Sequence, residues 1–155
     1  METKQVVVTG TICELQRTSK TYNSGEKSEN KLFLSLKGVH LSEQKMNIFK
    51  EAFSKAKKKF IPAWVDDFKN YINVSTKFEL PCRYNGNTYD SIEDLVADGF
   101  KYYNAKVRVI LNVKEGAIYP YSVDVLAEGE DIDKFAAFDE DDAYEDDLPF
   151  EEPTK

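Results

Sequence analysis

Histidine and cysteine are almost missing from this chain: one histidine, His40, and two cysteines, Cys13 and Cys82, in 155 residues. Zinc sites and many nucleophilic centres are built from those side chains, so their scarcity removes most routes to a metalloprotein or a hydrolase. The cysteines lie far apart and form no metal-type pair; two buried free thiols in a reducing cytosol are expected. A glycine–lysine phosphate loop is missing, and so is a glycine-flanked nucleophilic serine. Asp66 and Asp67 are adjacent, but neighbouring side chains diverge and no third ligand is evident, so neither a metal site nor a nuclease pair is expected there. The acids near the C-terminus lack the glycine and spacing of a calcium loop. Long apolar runs are missing too: none approaches the ~20 residues of a membrane span. Met1-Glu2-Thr3-Lys4 lacks the apolar segment of a secretory leader. The expectation is a cytoplasmic protein with no catalytic centre, metal, cofactor or membrane partner.

What is present is charge, unevenly divided. The net charge is −7, with 28 acids and 21 bases. Residues 128–155 hold 13 of the acids and 2 of the bases, a net of −11; the other 15 acids and 19 bases give residues 1–127 a net of +4. A basic body with an acidic tail suits a chain that binds a polyanion with one part and proteins with the other. A mildly basic domain carrying an unrelated tail is the plainer alternative. A length of 155 residues with 41% hydrophobic content fits one domain, residues 1–127, followed by a tail, residues 128–155.

The body reads as mainly β with a helical insert. Residues 6–15 are β-branched and form a first strand, with Gly10 a candidate bend or bulge. Residues 17–30 are a polar loop. Residues 31–39 form a second strand in which Leu32, Leu34 and Leu36 alternate inward. The insert, about residues 42–72, opens at the cap Ser42 and carries Met46, Phe49, Phe53, Ala56 and Phe60 at helical spacing, a stripe expected to be core. Lys57-Lys58-Lys59 would end that helix, where cations favour its dipole, or else contact a polyanion. Pro62 breaks the helix, a second short one is expected within 65–72, and Trp64 is expected to anchor packing. Residues 74–84 form a third strand, with Val74, Phe78, Leu80 and Cys82 inward and Lys77 and Arg83 outward. Asn85-Gly86 signals a hairpin to a short return strand, 87–90. Ser91 and Asp94 cap a short helix ended by Gly99. Residues 105–114 and 117–126 flank Glu115-Gly116 as a final hairpin. Tyr119 and Tyr121 share phase with Val123 and Val125 and could be core.

The outward rows combine the two residue types that single-stranded nucleic acid needs: cations for phosphates and aromatic rings for bases. Strand two presents Lys31, Phe33 and Lys37, where Phe33 either stacks on a base or packs under the insert. The fourth long strand buries Val107, Val109, Leu111 and Val113 and turns Lys106, Arg108, Asn112 and Lys114 outward, lining a groove or solvating an edge. Arg17, Lys20, Tyr22 and Lys27 lie in the first loop. With Lys77 and Arg83, these cations and rings are the candidate DNA contacts.

The tail, Asp139 onward, is too acidic and too poor in apolar residues to fold alone. It nevertheless carries a compact end, Asp146-Asp147-Leu148-Pro149-Phe150, in which charge can steer and one ring can anchor in a pocket. This end resembles the acidic tip of bacterial and bacteriophage single-stranded-DNA-binding proteins, except that Glu151-Glu152-Pro153-Thr154-Lys155 follows it. The resemblance implies an OB-fold body, here an OB-fold-like five-stranded barrel with an insert between strands two and three. It also implies docking of replication and recombination proteins on Asp146–Phe150. From it follows the expected function: a non-enzymatic protein that coats single-stranded DNA during phage or mobile-element replication and recombination. The oligomeric state is open, a homo-oligomer included. An acidic DNA mimic and a protein-docking OB module without DNA affinity are the competing readings.

Overall fold

A computed structural model of the chain describes residues 2–18 and 30–130. In chain order these form β1 (Lys4–Thr18), β2 (Lys31–Lys37), α1 (Glu43–Ala52), α2 (Ala63–Asp66), β3 (Tyr71–Thr76), β4 (Cys82–Tyr84), β5 (Asn87–Tyr89), α3 (Ile92–Ala97), β6 (Lys106–Lys114) and β7 (Ala117–Ala127). The strands make one seven-stranded mixed sheet in the order β3-β2-β1-β6-β7-β4-β5.

β1 is long enough to serve two neighbours. Residues 4–11 pair antiparallel with β6, and residues 11–18 pair antiparallel with β2. A bulge between Ile12 and Glu14 marks the change of partner. The extra residue, Cys13, moves the inward phase from Val6, Val8 and Ile12 to Leu15. The irregularity therefore sits at Cys13, not at Gly10. Gly10 is needed for a close approach instead: a Cβ there would stand 2.7 Å from Val39 Cγ2 and 3.0 Å from the Lys37 carbonyl.

One core lies against the inward face of the sheet. Leu32, Leu34 and Leu36 of β2, Ile72 and Val74 of β3, and Val107, Val109, Leu111 and Val113 of β6 are all buried, as their alternation requires. Each such side chain contributes about 1.5–3 kcal/mol by leaving water. Ser42 caps α1, its hydroxyl accepting from the Lys45 N–H. Phe49 and Phe53 are buried, but α1 stops at Ala52, and Phe60 is 65% exposed in a 3-10 turn, Lys58–Phe60. Half-buried Ala56 offers too little apolar area to hold another turn. The three lysines therefore lie beyond α1, and Lys50 occupies its last turn. α2 is shorter and earlier than the expected second helix. Its Trp64 packs edge-on against Phe49 at 5.2 Å between centroids and donates its indole N–H to the Asn73 carbonyl at 3.0 Å.

The third strand is two strands. β3 ends where the Thr76 hydroxyl accepts from the Phe78 N–H at 3.1 Å, a local turn that competes with the ladder. That turn throws Phe78 out of the inward phase: it is 65% exposed, not core. The chain resumes as β4, which pairs parallel with β7 through Cys82 and Val123 and antiparallel with β5. The β4–β5 turn has positive φ at both Asn85 and Gly86, the geometry that suits a two-residue hairpin. A register shift between Ile110 and Leu111 leaves Tyr121 without a partner across the ladder and 53% exposed, while Pro120 takes the buried place. Tyr121 is therefore not core. The ladder is open, with β3 and β5 as its edges, so the hydrogen bonds do not close a barrel. β3 and β7 nevertheless come within 8 Å, Cα to Cα, and residues 77–81 join β3 to β4 on the far side of β7.

Beyond β7, residues 128–130 fold back along 101–104. The Gly129 N–H donates to the Lys101 carbonyl at 2.8 Å and the Glu130 N–H to the Tyr103 carbonyl at 2.7 Å. A Cβ on residue 129 would collide with the Tyr103 carbonyl, so only glycine allows this approach. Among the described residues no helix is long and apolar enough to cross a membrane.

Candidate nucleic-acid interface

The bulged strand β1 sets which outward residues become neighbours. Thr11 is opposite Lys37 on one side and Lys106 on the other. Those two lysines are therefore about 10 Å apart, two strand spacings. Arg108 lies two residues along β6 from Lys106, and Thr9, Arg108, Asp124 and Arg83 form the next row across β1, β6, β7 and β4. Along β2, Lys31, Phe33 and Lys37 share the same outward side, with Phe33 between Gln16 and Ser75. The outer surface thus carries one line of cations: along β2, across Thr11, and on along β6.

Aromatic rings accompany that line. Phe33 is half-buried and does not belong to the buried core cluster or the side chains packed against it. Tyr71, opposite Lys37, is 39% exposed. The Lys37 Nζ sits 5.8 Å from the centroid of Tyr103, and the Lys114 Nζ 5.4 Å from that of Tyr119. At the outer edge of β3, Pro62, Trp64, Lys69, Tyr71 and Asn73 line an open groove of about 560 Å³, within the range of small-molecule sites.

The face is not uniformly basic. Glu14 lies opposite Ser35, whose hydroxyl is 3.1 Å from Glu14 Oε1 and 3.2 Å from Asn73 Oδ1. Arg83 forms a forked pair with Asp124, Nε to Oδ1 at 2.9 Å and Nη2 to Oδ2 at 3.1 Å. Asp124 is held below the ordinary carboxylate range, chiefly by that hydrogen bond and further by the charges of Arg83 and Arg108, against an opposing effect of burial. Arg17 is likewise engaged: its Nε and Nη2 reach Glu93 at 2.8 and 2.9 Å, and Nη2 is 3.4 Å from the Phe78 carbonyl.

Of the residues singled out by sequence, Lys31, Phe33, Lys37, Lys106, Arg108 and Arg83 come together on one surface. Lys77 stands just past β3, its Nζ 5.5 Å from the Phe78 centroid, and Lys114 lies at the far end of β6. Lys20, Tyr22 and Lys27 lie outside the described residues, as do Asp146, Asp147, Leu148, Pro149 and Phe150. Sequence reasoning missed Tyr71 and the groove, and it assigned Phe78 to the core. Thr76, two residues before Phe78, was the available signal, since a threonine hydroxyl at that distance can close a turn. Comparison of the chain with family models, with curated proteins and with solved structures gives no match.

Proposed function

We propose that this chain is a non-enzymatic single-stranded-DNA-binding protein whose body holds the strand and whose acidic tail docks replication and recombination proteins of a phage or mobile element. The observation that carries the reading is the line Lys31–Phe33–Lys37–Lys106–Arg108, in which four cations and a ring share the outward side of the sheet and are joined through Thr11. Phosphates would follow the cations, and bases would stack on Phe33 and Tyr71 at about 1–3 kcal/mol each.

The strand order supports an OB-like reading of the body. β3-β2-β1-β6-β7, with the continuation of the third strand lying parallel to the last and α3 before β6, is the order that such a fold takes when its barrel is drawn open. In that fold oligonucleotides cross strands two and three and the loops beside them, where Phe33 and Tyr71 stand. Titration of labelled oligo-dT into the purified chain at two salt concentrations tests the proposal. Binding that weakens with salt, at about 0.7 log unit per phosphate neutralised, supports it. No binding at low salt overturns it and leaves a protein-docking module.

A further inference from the structure

Phe78 is an exposed ring on a backbone fixed from both sides. Its N–H donates to the Thr76 hydroxyl at 3.1 Å, which ends β3 and turns the ring outward. Its carbonyl is 3.4 Å from the Arg17 Nη2, and Arg17 is itself held by two bonds of 2.8 and 2.9 Å to Glu93, beside the buried start of α3. The charge-assisted bonds to Glu93 raise the affinity of Arg17 for its proton still further. One surface phenylalanine is ordinary; one whose carrying turn is braced by a forked ion pair from two other elements is not. Lys77 stands over the ring, and Leu32 is opposite Thr76, so the ring lies just beyond the Lys31 end of the β2–β3 face.

We infer that Phe78 is a base-stacking platform at the Lys31 end of the DNA face, and that Arg17 and Glu93 are positioning residues that hold it there. The inference rests on the single-stranded-DNA reading and extends it. It assigns Arg17 to the brace instead of to a phosphate, and it takes the track past Phe33 to a third ring, at the end of the face away from Tyr71. A pre-set ring loses little freedom on binding, and that lets one stacked base count for more. The recognition is of a base face, so it carries no strong sequence preference.

The test uses the full chain carrying Phe78→Trp, with binding followed independently by anisotropy of labelled oligo-dT. A base stacked on the new indole quenches its emission, whereas Trp64 in the parent chain reports the background. The expected result is quenching that saturates together with anisotropy, and an about five- to 150-fold loss of affinity in Phe78→Ala. Glu93→Gln in the Phe78→Trp chain should reduce the quenching at saturating DNA, because the brace loses its charge. Anisotropy that saturates with no quenching beyond the parent's overturns the platform while leaving the DNA reading intact. Quenching that is undiminished by Glu93→Gln overturns the brace. Absence of any anisotropy change in the parent chain overturns the DNA reading itself.

Discussion

Phe33 and Leu34 are adjacent on β2 and face opposite ways, so a matched pair of alanine substitutions separates binding from folding. Leu34 is buried among the core side chains. Truncating a buried leucine costs about 2–5 kcal/mol, through lost transfer energy and the cavity left behind. Phe33 faces outward between Gln16 and Ser75, where cross-strand neighbours contribute about 0.2–1 kcal/mol each. Phe33→Ala should therefore cost about 1 kcal/mol of stability while removing a stack worth about 1–3 kcal/mol, a five- to 150-fold rise in Kd for oligo-dT. Leu34→Ala should show the reverse: a large drop in the urea midpoint and little change in Kd where the protein is still folded. Equilibrium urea unfolding and anisotropy titration on both variants supply the four numbers. If Phe33→Ala destabilises as much as Leu34→Ala and leaves Kd unchanged, the ring is a packed residue and the face is not a stacking surface.

Four further outcomes are expected. Replacing Lys37, Lys106 and Arg108 together by glutamine should lower the slope of log K against log salt by about 2 units, for three phosphates at about 0.7 each; an unchanged slope would move the track off Thr11. Deleting residues 139–155 removes nine acids and one lysine and should tighten DNA binding at low salt, because a tethered acidic segment competes with phosphate for the body. Phe150→Ala, which leaves every charge in place, should abolish partner capture without changing Kd, and retained capture would reduce the tail to a charge. Asp124 has a depressed folded-state pKa, so its pair with Arg83 stabilises fully above the unfolded value near 4 and is lost as pH falls through the folded value. The urea midpoints of wild type and Asp124→Asn should therefore differ at pH 7 and converge at lower pH; a constant gap would assign the effect to packing.

Periodicity carried most of the fold because the strands are simple where they are long. The alternation of Val107, Val109, Leu111 and Val113 with charges admits only one register, and the hairpin at Glu115-Gly116 follows from it. Local alternation fails where a single side chain reroutes the backbone. The Thr76 hydroxyl ends β3 and exposes Phe78, and the shift at Ile110 and Leu111 displaces Tyr121. The first helix of the insert is shorter than its spacing predicts for a different reason: the helical spacing continues to Phe60, but the last side chain α1 can bury is Phe53. As for the surface, strand phase identified which cations face outward. It could not place Lys37 beside Lys106, because that depends on β1 serving two partners that lie about 70 residues apart in the chain.

The sharing of β1 also bears on how the protein is made. Residues 11–18 can pair with β2 as soon as the second strand leaves the ribosome, but residues 4–11 wait for β6. At about 5–20 residues per second, the 70 or so residues between β2 and β6 take on the order of 4–15 s. Throughout it the nascent chain carries an unpaired strand, Val6-Val7-Val8 at its centre, with high β-propensity and no charge after Lys4. Lys4 lies at one end of that stretch and Gly10 closes the other, a charge and a poor strand former bracketing the exposed segment. Translation speed through residues 40–105 thus sets how long a sticky edge stays open, and synonymous changes that slow it should raise the aggregated fraction without altering the folded protein.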